Sequence, residues 1–165
     1  MGEKDMSLKD QFTDEEWGRV VGAPMLAGIA VTAADPGGLW GALKESMAVA
    51  SSVAKSQVHE GLVAEVAEAY KTSEGRDMAR ATLKGDVKGK KPAEIVETAL
   101  AELASTTALV KSKDAAAGAD FAAWLQDVAR KVAEAGTEGG FMGFGGVKVS
   151  DAEKATLDRL STALA

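Results

Sequence analysis

The chain is predicted to fold as an all-α protein, a single compact bundle of six or seven helices with a Gly/Phe-rich loop before the C-terminal helix. Three observations lead there. Alanine is abundant while aromatic residues make up only 5% of the 165 residues, a composition that lets helix axes approach closely. Apolar positions recur at i, i+3, i+4 and i+7 through most of the chain. No stretch alternates convincingly with period two, and Val147 with Val149 are too few to make a strand.

The elements follow in order. Residues 1–11 are polar and read as a flexible N-terminal tail, and residues 12–165 form one helical domain. Thr13 opens the first helix as a cap, Glu16 completes a capping box three residues on, and Phe12 is placed to pack on Trp17 as a hydrophobic staple. This helix is expected to reach about Gly22 and to bend or restart at Pro24, where the ring removes a donor and crowds the preceding turn. Asp35-Pro36 signals a second start, with Leu39, Leu43, Met47, Ala50 and Ala54 on one face. A third segment turns Leu62, Val63, Val66 and Tyr70 inward and Glu65, Glu68 and Lys71 outward. A shorter helix around Arg76 to Leu83 is expected to face in through Met78 and Ala81.

Lys84 to Lys91, "KGDVKGKK", reads as a polar loop and the clearest break in the chain. Pro92 then opens a long helix bearing Ile95, Val96, Ala99, Leu100, Leu103 and Val110. The next carries Phe121, Trp124, Leu125, Val128 and Val132 and is expected to end at Gly136. Ser150 and Glu153 read as a second capping box ahead of Leu157, Leu160 and Leu164.

Composition narrows the function. The net charge is −6 with 46% apolar and 27% charged residues, so the chain lacks the basic face that nucleic acids require. No cysteine is present, which removes disulfides, thiolate metal sites and thiol nucleophiles and fits a cytoplasmic location. The first residues have no apolar core of a secretory signal. The most apolar run, Val20 to Ala34, is shorter than the roughly 20 residues of a spanning helix and contains Pro24, so it reads as a buried core helix.

The segments "AVTAADPGGLWGALKES", "KPAEI", "FAAWLQDVARKVAEA" and "EGGFMGFGGVKVSDAEKATLDRL" resemble a group of short, uncharacterised bacterial proteins. The resemblance spans most of the chain after Thr13 and is most specific in E-G-G-F-x-G-F-G-G-V-x-V-S-x-x-E. It implies a stand-alone bacterial protein and brings no activity, cofactor or site residue.

Candidate chemistry is sparse. From Gly140 to Gly145 the spacing matches a phosphate loop, but Gly146 and Val147 stand where lysine and a hydroxyl residue are needed. The glycines read instead as a connector anchored by Phe141 and Phe144, which with Met142 form a possible interaction loop. His59 is the sole histidine and lacks partners for acid-base or metal chemistry. Ser52-Val53-Ala54-Lys55 spells S-x-x-K without the companion motifs of a penicillin-binding site. Glu65, Glu68, Glu94, Glu97 and Glu102 read as a solvated rim, and Lys84, Lys88, Lys90 and Lys91 as a solvated loop. Gly18-x-x-x-Gly22 and Gly37-x-x-x-Gly41 point to close helix approach or a bend.

The sequence therefore favours a non-enzymatic helical interaction protein. It is expected to self-associate or bind another protein, with no catalytic, cofactor-binding or metal residues, no cofactor and no nucleic acid. Membrane attachment through Phe141, Met142 and Phe144 is disfavoured by the acidic charge. The alternative is a small-ligand binding protein or enzyme, with a pocket inside the bundle gated by residues 139–149.

Overall fold

The computed structural model describes residues 8–34, 48, 50, 52, 61–138 and 151–165. Among them are a 3-10 turn, Leu8–Gln11, six α-helices and no strand. The helices are α1 (Asp14–Ala34), α2 (Gly61–Tyr70), α3 (Ser73–Val87), α4 (Pro92–Lys113), α5 (Ala115–Glu138) and α6 (Asp151–Leu164).

α1 is the axis of the bundle and packs against all five other helices. Beyond its first turn it is buried almost throughout, as suits a helix surrounded by protein. By length and composition α1 could cross a membrane, yet 83% of its most apolar window is buried within the fold. Its start follows the sequence closely. The Thr13 amide donates to Glu16 Oε1 at 2.9 Å and the Glu16 amide to Thr13 Oγ1 at 3.1 Å. Phe12 and Trp17 meet with ring centroids 6.1 Å apart. Its course does not. The helix does not restart at Pro24 but continues to Ala34 with the proline inside it.

Leu8–Gln11, within the stretch read as a tail, is held to α2. Glu65 accepts hydrogen bonds from the Leu8 and Lys9 amides, both at 3.1 Å, and so caps the turn from another element. Ala50 is buried in the common core, as its place in the second apolar stripe predicts. The rest of that stripe, Leu39, Leu43, Met47 and Ala54, lies outside the described residues, with Asp35, Pro36, Gly37, Trp40 and Gly41.

α2 buries Leu62, Val63, Val66 and Tyr70 as expected. α3 departs from its expected face: Met78 and Ala81 are exposed, and Gly75, Ala79 and Leu83 face in. The reason lies in α1. A Cβ added at Gly18 would stand 3.3 Å from Thr82 Oγ1, and one at Gly22 would stand 3.4 Å from Thr82 Cβ. The small-residue side of α3 is therefore the side that fits, and the Gly18/Gly22 pair marks a close helix approach. The polar break at Lys84–Lys91 is also shorter than expected. α3 runs through Val87, which packs on the core, and the chain turns at Gly89 with φ 74°. Lys84 and Lys88 thereby stand at a helix C-terminus, where cations are favourable.

Pro92 occupies the first turn of α4, and the Lys91 amide donates to Glu94 Oε1 at 2.8 Å. Asp114 caps α5 by accepting from the Ala117 amide at 2.9 Å. The stripe Phe121, Trp124, Leu125, Val128 and Val132 is buried without exception. α5 does not stop at Gly136, which lies in its last turn before Glu138. In α6, Leu160 and Leu164 are buried and Leu157 packs against the core. Glu153 is buried, while Ser150 lies outside the described residues. Arg159 to Glu97 at 2.8 Å and Lys111 Nζ to the Ala165 carbonyl at 2.7 Å tie α6 to α4.

Candidate functional site

A polar intersection of helices lies where α1, α3 and α4 meet. Arg19 brings it into being, as the sole basic side chain of α1. Its guanidinium Nη2 donates to Ser105 Oγ at 2.7 Å, and Nε faces Glu102 Oε1 at 3.7 Å. The Thr82 hydroxyl shares its one proton between the Gly18 carbonyl at 3.2 Å and the Met78 carbonyl at 3.1 Å. Between these groups and Gly22, Leu26, Asp86, Leu103 and Thr106 is a void of about 10 Å³. That is the room of one water molecule and no more.

Electrostatics at this crevice are mild. Burial raises the Asp86 carboxyl above its ordinary range, the nearby Glu102 charge raises it further, and Lys90 and Arg19 oppose both. An arginine held between a carboxylate and a hydroxyl fastens helices together. No group of three metal-ligating residues converges among the described residues.

The five glutamates read as a solvated rim each have a partner. Glu65 caps the 3-10 turn, Glu68 pairs with Lys71 at 2.8 Å, and Glu94 reaches back to the start of α4. Glu97 pairs with Arg159, whose hydrogen bond holds the Glu97 carboxyl below its ordinary value, and Glu102 faces Arg19. Their common duty is to close helix ends and join helices at the surface. Of the basic cluster, Lys84, Lys88 and Lys91 are exposed and Lys90 is half-buried near Asp86. Ser52 of the S-x-x-K string is exposed. Lys55, His59 and the loop Phe141, Met142 and Phe144 lie outside the described residues.

Two groupings escape a reading of the sequence alone. The Arg19 crevice could have been suspected from the sole basic residue of a largely apolar helix. Tyr70 is the other. It is the sole tyrosine of the chain, fully buried, and its hydroxyl donates to the Val21 carbonyl at 2.5 Å. Its presence in an apolar stripe, with a proline in the helix opposite, is the available signal. Compared with known proteins, the chain has no significant match to a family model, to a curated protein or to a solved structure.

Proposed function

We propose that this chain is a non-enzymatic helical interaction protein that self-associates, and that its working surface is formed by chain segments rather than by a pocket in the core. One observation supports this reading above the others. In the described bundle Glu65 and Glu94 serve as caps, and Glu97 and Glu102 as helix-to-helix partners. The apolar residues of all six helices enter one continuous core.

Phe141, Met142 and Phe144 are the segment we assign to association, because large apolar side chains among glycines suit contact with a second surface. Light scattering after gel filtration tests the proposal. Oligomers that dissociate at least tenfold more readily in Phe141→Ala/Phe144→Ala, at an unchanged melting temperature, are the expected result. A chain that is monomeric at every concentration and captures no partner would overturn it. The alternative is a small-ligand binding protein or enzyme with a pocket inside the bundle, whose expected gate, residues 139–149, lies outside the described residues. A thermal-shift screen of nucleotides, acyl-CoA, fatty acids and metals separates the two readings: a ligand at 100 times its dissociation constant adds about 2.7 kcal/mol.

A further inference from the structure

Pro24 leaves a defect in the middle of α1. It has no amide to offer the Val20 carbonyl, and its ring presses on that carbonyl from the following turn. In an exposed helix water would take up the disturbed backbone groups. Here Val20, Val21, Pro24 and Met25 are all buried, so a protein group must do so.

Tyr70 arrives at this point from the end of α2. Its hydroxyl donates to the Val21 carbonyl, and the Met25 amide is near enough to the phenol oxygen to favour its charged form. Val21 and Met25 are four residues apart, the pair that an uninterrupted α-helix joins directly. The phenol is held in place by its own element. Arg76 Nη1 donates to the Tyr70 carbonyl at 2.8 Å, and the Thr72 hydroxyl donates to the Ala69 carbonyl at 3.0 Å, closing the last turn of α2. Side-chain insertion into a helical ladder is a recognised way of accommodating a kink.

We infer that the Tyr70 hydroxyl is inserted into the hydrogen-bond ladder of α1 beside Pro24, making α2 a clasp that holds the two halves of α1 together. The device is conformational: when α2 leaves its seat, α1 opens at Pro24. It accounts for a helix that continues past an internal proline where the sequence alone predicts a break.

Native-state hydrogen exchange by NMR tests it, using Tyr70→Phe, which removes the oxygen and keeps the ring. The Met25 amide is expected to exchange at least tenfold faster in that variant, while the amide of Leu103 in α4 changes less than twofold. Adding Pro24→Ala restores an amide and relieves the ring, so the double variant should bring Met25 back to within about twofold of its original rate. Unchanged protection of Met25 in Tyr70→Phe would overturn the inference. So would an equal drop in melting temperature from Tyr70→Phe whether residue 24 is proline or alanine. Should Tyr70→Phe alone fail to fold, a folded Pro24→Ala/Tyr70→Phe protein supports the clasp, and failure of both variants sinks it.

Discussion

Gly75 can carry nothing but hydrogen toward the end of α2. A Cβ built there would stand 2.0 Å from the Ala69 carbonyl oxygen, which is already accepting from the Thr72 amide and hydroxyl. Gly75→Ala is therefore expected to destabilise by about 2 kcal/mol or more, because backbone rather than a flexible side chain must give way. Gly85, in the same helix, has open space around it, and Gly85→Ala should instead stabilise by about 0.5–1 kcal/mol. Urea unfolding of the two variants checks the opposite signs, and equal signs would refute the packing account. Asp86 offers a third residue-scale prediction. Its carboxyl is raised by burial first and Glu102 second, so the fold favours the neutral form. The stabilisation it contributes is present below its ordinary 3.8 and is lost as pH rises through the folded value. Asp86→Asn should therefore raise the melting temperature at neutral pH and cease to do so near about pH 3. The gain should be only tenths of a kcal/mol, since solvent screens a half-buried group. Such single-residue duties are the least legible in a sequence. "SEGRD" gives no sign that its glycine lies against the preceding helix end.

At the scale of elements, legibility depended on how strongly each signal was stated locally. Phe12, Thr13, Glu16 and Trp17 write the start of α1 within six residues, and the structure realises every part of it. Thr13→Ala should accordingly cost about 1 kcal/mol, with Glu16→Ala smaller and the two not additive because they serve one reciprocal cap. A double-mutant cycle by thermal melting measures that coupling, and full additivity would count against the box. The inward face of α3 is illegible locally for the converse reason. Its inward face is Gly75, Ala79 and Leu83, a stripe with so little hydrophobicity that Met78 suggests the wrong side. What selects the face is Gly18 and Gly22 on another helix, a tertiary fact absent from the local pattern. Met78→Gln should then change stability by less than about 0.5 kcal/mol. Ala79→Leu should lower it by about 1–3 kcal/mol, because Ala79 is buried against α1. Pro24 reads locally as a place for a bend or restart, yet the helix continues through it. Its compensation came from 46 residues further along, at Tyr70, beyond the reach of any local rule.

For the whole molecule, the consequence of placing a proline-bearing helix at the centre is that one buried hydroxyl is linked to the global equilibrium. α1 touches every other described helix, and these six share one core, so cooperative unfolding should release Tyr70 with the rest. Burial pushes the Tyr70 hydroxyl far above its ordinary 10.0, and the Met25 amide offsets only part of that rise. A group raised in the folded state contributes stability that is fully present below its unfolded value. That stability is lost as pH climbs toward the folded value. The chain should therefore hold its stability up to about pH 10 and then lose up to about 1.4 kcal/mol per pH unit through this one residue. Lysine deprotonation changes the surface charge over the same range, so the informative quantity is a difference. Urea midpoints of the wild-type chain and of Tyr70→Phe, followed by helix circular dichroism and tryptophan fluorescence, should run parallel below pH 10 and converge above it. Convergence arises because phenylalanine has no proton to lose on unfolding. Curves that stay parallel to about pH 11.5 would show that the hydroxyl ionises as readily in the folded protein as in the unfolded one, and its burial at the proline would then have no bearing on the stability of the bundle.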